Sequence, residues 1–375
     1  MTTRFSGAIA SLVTVLLAFG IAGLAVLLVG ANPLTVYKAL FIGAGFDWPF
    51  QFLPGNPFGV VANEFPLQST LVAFSQLVLT GLAVAFAFRC GLFNIGGQGQ
   101  FWVGAAAAVI VATHVGGGSG TVLAAIAAAL AGGAWAGIAG ALKAFRGAHE
   151  VISTIMLNWI AIFGTKYLFG TGGPFTDTAS GQPESKHLAD SSLYPHVWGL
   201  LQPVRFGIFI ALGAAVVYWV VLERTTLGYA VRAVGFNAEA ARYGGISVRR
   251  AIALSMLIAG LFSGLAGADQ ILGVSGKIAS PEVLGNTVGF TGIAVALLGR
   301  NRALGVVLSA LLFAALASGS RQLSGEFSST LARSLADVIQ GIIILGVGGE
   351  AVVRWALTSR RAKLDTPAIA AETPT

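Results

Sequence analysis

Charged side chains are scarce in this sequence. Only 10% of its 375 residues are Asp, Glu, Lys or Arg, against about 25% in an average soluble domain. Hydrophobic residues make up 55%, and so few polar groups could not cover the core that they would form in water. The composition therefore excludes a soluble enzyme, a DNA-binding domain and a disordered chain, and it indicates a polytopic membrane protein.

Cysteine is almost absent, since Cys90 is the only one. A single thiol excludes a disulfide framework and any metal site built from several cysteines. The four histidines are scattered, and the sequence contains neither an H-E-x-x-H helix nor a G-x-x-x-x-G-K-[ST] phosphate loop. We therefore expect no metal, no cofactor and no nucleotide site in this chain.

Acidic residues are missing from the whole stretch between Leu67 and His149, and Asp269 and Asp337 are the deepest of the others. Ionisable groups within a membrane usually mark proton or ion pathways. Their scarcity argues against a proton-coupled or sodium-coupled carrier and against a membrane-embedded enzyme. A sodium site made of backbone carbonyls stays open.

Long apolar runs are plentiful, and a helix needs about 20 apolar residues to cross the bilayer. We expect an all-α fold of about ten transmembrane helices near Gly7–Gly30, Leu67–Phe88, Gly99–Thr113, Thr121–Leu142, Val151–Phe169, Phe206–Leu222, Ala251–Leu272, Val288–Leu298, Ala303–Ser318 and Leu335–Gly349. The eighth is too short to cross alone, so it is either a half-helix or a span that starts within Ser280–Thr287. The stretches Ala31–Pro66 and Thr171–Arg205 are rich in Pro, Gly and Asn and are expected to be irregular.

Basic residues fall unevenly on the two sides of this layout. With the N-terminus in the cytoplasm, about 15 of the 22 Lys and Arg residues lie on the cytoplasmic side, as the positive-inside rule predicts. We therefore expect both termini in the cytoplasm, a transmembrane domain over 1–353, a main cytoplasmic loop over 223–250 and a disordered tail over 354–375. The net charge of +7 then reflects these loops and not a nucleic-acid partner.

The main cytoplasmic loop contains the signals of a short helix. Asn237 can cap a helix over Ala238–Tyr243, with Glu239 in its first turn and Gly244 and Gly245 at its end. Such an exposed helix suits the groove of another protein. A solvated loop that only sets the topology is the alternative.

Four segments resemble the signatures of permeases from ATP-binding cassette (ABC) importers, in the nucleoside and simple-sugar branch of the branched-chain amino acid and simple-sugar superfamily. In chain order they are Arg89–Gln100 (RCGLFNIGGQGQ), Glu150–Ala161 (EVISTIMLNWIA), the loop from Thr226 to Ile246, and Gly289–Arg300 (GFTGIAVALLGR). Four signatures in order are specific, whereas one alone would be weak. Gln98 stands where many relatives have Glu and His149 where many have Asn, so a role that needs a charge at residue 98 is not carried over.

The resemblance implies a multi-pass permease of the bacterial inner membrane that performs no chemistry of its own. Its implied partners are an ABC ATPase subunit that uses the ATP, a second and paralogous permease, an extracytoplasmic solute-binding protein, the small-molecule solute and membrane lipid. The loop would dock on the ATPase through Arg232, Gly235, Asn237, Glu239, Ala240, Ala241, Arg242 and Gly245.

Polar residues beside the signatures are candidates for the solute pathway. They are Asn94, Gln98, Gln100, Thr154, Asn158, Asn286, Phe290 and Thr291. Glycines interrupt the helix pattern around the first three, and non-helical backbone at membrane depth is tolerated only where it faces protein or a water-filled cavity. Thr154 and Asn158 lie one turn apart on one helix face, and Phe290 could stack on a base.

Uncharged amide, hydroxyl and aromatic groups favour a neutral polar solute, either a nucleoside or a simple sugar, delivered by the binding protein. An amino acid would need charged or dipolar partners. The same side chains could instead pack, cap turns or join helices by hydrogen bonds. The alternative function is an ion-coupled secondary carrier for a polar metabolite, which would need internal repeats and ligands for the coupling ion.

Overall fold

The computed structural model describes residues 2–28, 30–52, 64–198, 204–323, 337–342 and 345, and for 2–14 and 321–323 it describes the backbone alone. The described chain is mostly α-helical, as predicted. Its helices are α1 (Thr2–Leu28), α2 (Pro33–Gly43), α3 (Phe65–Arg89), α4 (Gly97–Val115), α5 (Gly117–Arg146), α6 (Glu150–Phe169), α7 (Gly207–Arg224), α8 (Thr226–Phe236), α9 (Ala238–Tyr243), α10 (Val248–Ala268), α11 (Glu282–Gly285), α12 (Val288–Leu298) and α13 (Ala303–Leu323). Residues 337–342 are also helical.

Six helices within the described residues are long and apolar enough to cross a membrane. They are α3, α5, α6, α7, α13 and the continuous run of α10 with the π-helical turns Asp269–Ser275. The pair α1 and α2, which is bent by 119°, could add a seventh. The count of ten is therefore not reached in this part of the chain. Most of Leu335–Gly349 and the whole tail 354–375 lie outside the described residues.

The eighth expected span is a half-helix, because α12 has only 11 residues. The short helix α11 precedes it, and the chain breaks at Asn286 and Thr287 between the two. The expectation of an irregular stretch over Ala31–Pro66 is wrong in part, since it contains α2. Asn32 caps this helix by accepting a hydrogen bond from the Leu34 amide at 3.0 Å, and Pro at a first helical position costs no hydrogen bond.

Helix α3 lies at the centre of the molecule, where every residue from Phe74 to Ala87 is buried. Helices α7, α10, α12 and α13 surround it. Helix α5 packs closely on α10 through small residues, because a Cβ on Gly132 would lie 2.6 Å from the Gly260 carbonyl oxygen. Such contacts between small residues let helices approach closely in lipid.

The two ends of the bundle differ. At the end that we call the α8–α9 end, α3 and α7 finish and the helices α8 and α9 connect α7 to α10. The opposite end, which we call the loop end, is covered by segment 171–198, as expected for an irregular stretch. This segment is held by a hydrogen bond from the Ser185 amide to the Ile278 carbonyl (2.9 Å) and by an ion pair between Lys277 and Glu184 (2.7 Å). Two short strands, β1 (His196–Trp198) and β2 (Val204–Arg205), pair antiparallel beside it.

Candidate functional site

Helices α4 and α12 begin next to each other, and Gln98 joins their first turns. Its Nε2 donates to the Asn286 carbonyl (2.6 Å), and its Oε1 accepts from the Gly289 amide (2.8 Å). The backbones are so close that a Cβ on Gly289 would lie 2.5 Å from the Gln98 Cα. A glutamate at residue 98 would lack the Nε2 donor, so the amide is the group that suits this junction.

This junction of α4 and α12 lies at mid-depth in the bundle. The 11 residues of α12 rise about 16 Å, and the turn after α12 reaches the α8–α9 end, where the Tyr218 hydroxyl donates to the Asn301 carbonyl (2.8 Å). About 16 Å is half of the roughly 30 Å hydrocarbon thickness of a bilayer. Polar side chains and non-helical backbone therefore meet near the middle of the spans.

The other candidate amides lie beside the junction and bond within the chain. Asn94 and Gln100 exchange two hydrogen bonds of 3.1 and 3.0 Å. Asn158 donates to the Ile95 carbonyl (2.8 Å) and accepts from the Gly99 amide (2.7 Å), so it joins α6 to α4. All of these side chains are buried, and in this conformation none of them faces open space.

Thr154 lies one turn before Asn158 on the same buried face of α6, as the spacing predicts. Its hydroxyl donates to the carbonyl of Glu150 (2.8 Å) in its own helix. The sequence thus places Thr154 correctly beside Asn158, while the structure shows that its hydroxyl bonds locally.

The exposed part of the junction is the break between α11 and α12. Most residues from Pro281 to Thr287 are exposed, and Phe290 is 39% exposed. Asn286 and Thr291 are half-buried, with the Asn286 Oδ1 accepting from the Val288 amide (3.0 Å). Of the candidates for the pathway, Phe290 is thus the side chain that is open to the surroundings.

Sequence reasoning missed Trp159, which is 48% exposed on α6 and stacks on Phe163 with ring centroids 5.8 Å apart. Its neighbour Asn158 contacts Gly99, whereas Gly289, the neighbour of Phe290, contacts Gln98. Because Gln98 and Gly99 are adjacent in α4, Trp159 and Phe290 lie at about the same depth. The signal in the sequence was an aromatic residue directly after the polar position Asn158.

A second candidate site is the pair of helices α8 and α9. The predicted helix over Ala238–Tyr243 is confirmed: the Asn237 Oδ1 accepts from the amides of Glu239 and Ala240 at 3.0 Å, and Gly245 adopts a φ of +80° just after the helix. Helix α8 was not predicted. Gly235 lies inside α8, and glycine is needed at this position because a Cβ there would clash with the Arg89 carbonyl.

The residues proposed for docking on this second site differ in exposure. Glu239, Ala240 and Arg242 are exposed, whereas Ala241 is buried within the chain and Arg232 is half-buried. Sequence reasoning missed the two most exposed aromatic side chains here, which are Phe236 at 88% and Tyr243 at 86%. Phe236 ends α8 and Tyr243 ends α9, and exposed aromatic side chains are typical anchors of protein interfaces.

Asp269 is enclosed more completely than its sequence position near a span end indicates. Its side chain is 3% exposed and accepts a hydrogen bond from the Ser75 hydroxyl (2.5 Å). A carboxylate oxygen also lies against Gly207 at the start of α7, where a Cβ would clash. The N-terminus of a helix favours a negative charge, so Asp269 helps to hold α3, α7 and α10 together.

Comparison with known proteins adds a family match. Residues 67–348 match the family described as branched-chain amino acid transport system / permease component. The chain is 37% identical over 374 residues to the guanosine ABC transporter permease protein NupP of Bacillus subtilis, covering 97% of this chain and 99% of that protein. It is 33% identical to the glucose ABC transporter permease protein TsgB13 of Haloferax volcanii, covering 88% of this chain and 84% of that protein.

A third relative is the nucleoside ABC transporter permease protein NupB of Lactococcus lactis, at 28% identity over 96% of both chains. The bacteria that hold NupP and NupB each have a second matching permease protein. These are the guanosine permease protein NupQ and the nucleoside permease protein NupC, which cover 66% of this chain at 28% and 25% identity. No solved structure matches this chain.

Proposed function

This chain belongs to the branched-chain amino acid transport system / permease component family, and from that membership we propose that it imports a nucleoside as one of two permease subunits of an ABC importer. It is a multi-pass membrane protein and a transport component, not an enzyme. The relatives named for guanosine and nucleosides support the solute. A simple sugar is the second candidate, because a relative at 33% identity is named for glucose.

The proposed topology has the α8–α9 end in the cytoplasm, about ten spans and both termini in the cytoplasm. The α8–α9 end carries a high density of Arg residues, which the positive-inside rule places inside. These include Arg224, Arg232, Arg242, Arg249 and Arg250. The loop end then faces the extracytoplasmic side of the bacterial inner membrane, where a solute-binding protein would deliver the solute.

The observation that carries the proposed pathway is the exposed break between α11 and α12 at mid-depth. Non-helical backbone at that depth is tolerated only where protein covers it or where it lines a water-filled cavity. In the single chain Leu284, Gly285 and Thr287 are exposed. We propose that this surface faces the solute pathway and that the second, paralogous permease lies across it.

The wall of this pathway would be uncharged and aromatic. Trp159 and Phe290 lie at about one depth on either side of the first turn of α4, and Thr287 and Thr291 lie within one helical turn of Phe290 along the chain. Flat aromatic rings stack on nucleobases, and hydroxyl groups bond to polar edges of a solute. In this proposal Asn94, Gln98, Gln100, Thr154 and Asn158 contribute by holding the wall, because their hydrogen bonds lie within the chain.

The proposed partner at the α8–α9 end is an ABC ATPase subunit. Helix α9 is short and exposed, and the exposed rings of Phe236 and Tyr243 lie just before it and at its last residue. A groove in the ATPase would bury these rings and pair with exposed charges such as Glu239 and Arg242. ATP would be used there, and this chain would need no cofactor of its own.

The test of the proposed function is uptake by vesicles that contain this chain with its candidate ATPase, second permease and binding protein. We expect ATP-driven uptake of guanosine in preference to glucose. The double variant W159A/F290A should lower guanosine uptake at least about tenfold, since stacking contributes about 1–3 kcal/mol per base. The control F209A removes an aromatic side chain that is exposed on α7. Uptake of glucose but not guanosine would establish the sugar alternative, and equal effects of both variants would contradict the proposed wall.

A further inference from the structure

One carboxylate attaches the docking helices to the central helix of the bundle. Glu223, near the end of α7, forms an ion pair of 3.1 Å with Arg89 at the end of α3 and another of 3.1 Å with Arg232 in α8. Each carboxylate oxygen takes one guanidinium, Oε1 that of Arg89 and Oε2 that of Arg232. Three helices therefore meet at a single side chain.

Backbone contacts fix the position of α8 around this bridge. A Cβ on Gly235 would clash with the Arg89 carbonyl, and a Cβ on Gly228 would clash with the carbonyls of Val221 and Leu222. Arg232 also donates to the Leu222 carbonyl. These backbone contacts and the buried side chains of Val231 and Val234 hold α8 against the bundle. The ion pairs supply the directional connection.

The connection continues from α3 to the proposed solute pathway. A Cβ on Gly81 of α3 would lie 2.7 Å from Val295 Cγ1, and a Cβ on Gly292 would lie 2.8 Å from Thr80. Helices α3 and α12 are thus in close contact near the junction at Gln98, with the Val295 side chain against Gly81 and Thr80 against Gly292. A displacement of the end of α3 cannot be absorbed by loose side chains before it reaches α12.

We propose that Glu223 is a positioning residue that transmits movement of α8 and α9 to α3, and through α3 to α12, so that events at the ATPase change the solute pathway. The inference rests on the proposed function as an ABC permease. Partly exposed ion pairs contribute little to folding stability, and all three side chains are partly exposed. Removing the bridge should therefore change coupling much more than it changes folding.

The chain contains its own reporter of this contact. Cys90 follows Arg89 directly and is buried, and a Cβ on Gly235 would lie 3.1 Å from the Cys90 carbonyl carbon. Helix α8 thus packs on the backbone of Cys90, the only cysteine in the sequence, whose buried thiol lies beside Ser255 of α10. If α8 loosens from α3, Cys90 becomes accessible to a thiol reagent.

The experiment compares E223Q with the wild type in the assembled importer and in the purified chain. In the assembly we expect ATP hydrolysis to continue while uptake falls about threefold to tenfold, so that more ATP is used per solute moved. In the purified chain we expect N-ethylmaleimide to alkylate Cys90 several times faster than in the wild type. The matched control is K143Q, which breaks the Lys143–Glu150 ion pair (2.9 Å) between α5 and α6 and should leave both measurements unchanged.

Variants of the two arginines test whether Glu223 joins them in one bridge or forms two independent ion pairs. R89Q and R232Q should each give a partial effect, and the double variant R89Q/R232Q should have at least the effect of E223Q, because it also removes the hydrogen bond from Arg232 to the Leu222 carbonyl. These variants also carry the test if E223Q does not accumulate in the membrane. Normal coupling and normal Cys90 alkylation in E223Q would overturn the inference. If the wild-type assembly shows no ATP-driven uptake, the proposed function fails instead, while the alkylation comparison still tests the contact.

Discussion

At the scale of the residue, Asn158 shows how a polar side chain in a membrane can form its hydrogen bonds within its own chain. It is buried, and its amide bonds to the Ile95 carbonyl and the Gly99 amide. Asn158→Leu leaves both backbone groups unpaired, at about 1–3 kcal/mol each. We expect the unfolding midpoint in detergent to fall by at least about 3 °C, and uptake to fall with it.

Thr154→Val is the control for Asn158→Leu. The Thr154 hydroxyl donates only to the carbonyls of Glu150 and Val151 in the first turn of its own helix, so its loss breaks no contact between helices. Its midpoint should stay within about 1 °C of the wild type. If Asn158→Leu instead keeps the wild-type midpoint and loses only transport, Asn158 touches the solute directly in another conformation.

Cys90 provides a prediction about pH. Burial raises the pKa of the Cys90 thiol to about 11, against about 8.5 for a free thiol, so its thiolate at pH 8 should be about 200 times rarer. We expect alkylation of the folded chain to be slower than that of the denatured chain by about this factor, and to rise about tenfold per pH unit up to the pKa. Mass spectrometry measures the rate, and alkylation at pH 8 as fast as in the denatured chain would contradict the burial of this thiol.

At the scale of the element, the exposed rings beside α9 give the sharpest test of docking. F236A/Y243A should weaken co-purification with the ATPase at least about tenfold, since aromatic anchors carry much of the energy of an interface. The amount of the chain in the membrane should not change, because both side chains are exposed and do not contribute to the core of the bundle. Tyr167→Ala is the control, since this side chain is exposed near the other end of the bundle.

The docking prediction from sequence placed Ala240 and Ala241 in the groove of the partner. Since Ala241 is buried within the chain, Ala241→Glu would disturb the packing of α9 itself, and Ala240→Glu is the cleaner variant. We expect Ala240→Glu to weaken ATPase assembly without affecting insertion. Normal assembly in both Ala240→Glu and F236A/Y243A would show that the ATPase docks elsewhere.

The helices that were predicted correctly from sequence are marked by capping residues at their own ends. Asn237 marks the start of α9 and Gly245 its end, and both signals act within a few residues. Helix α8 was not predicted because glycines such as Gly235 usually mark turns. In the structure they are required by close contacts with Arg89 and Val221, which belong to other parts of the chain and leave no local pattern.

At the scale of the whole molecule, sequence could identify the polar groups near the pathway but not which of them are open. The amide Gln98 and the aromatic residue Phe290 lie in two of the four signatures, yet the first is buried and hydrogen-bonded whereas the second is exposed. Exposure depends on which helix faces pack, and that is decided by contacts across the whole chain. Trp159 was missed for the same reason, because its position directly after Asn158 places it near the pathway but does not show that its ring is exposed.

The energy source is also a property of the whole molecule. A proton-coupled carrier needs an ionisable group that the pathway can reach. Asp269, the acid buried deepest in a described span, is instead enclosed by Ser75 and the start of α7. We therefore expect uptake to be driven by ATP in the partner ATPase and not by an ion gradient.

The measurement uses vesicles that hold this chain with its ATPase, second permease and binding protein. A protonophore should leave ATP-driven uptake intact, because no titratable group in the proposed wall around Trp159 and Phe290 has to change its protonation state. Replacing the phosphate-loop lysine of the ATPase should stop uptake, since this chain has no such loop of its own. The decisive control is this chain alone in liposomes with an imposed proton or sodium gradient. Concentration of solute there would replace the ABC mechanism with that of a secondary carrier, and Asp269 would then be the first residue to examine as its proton site.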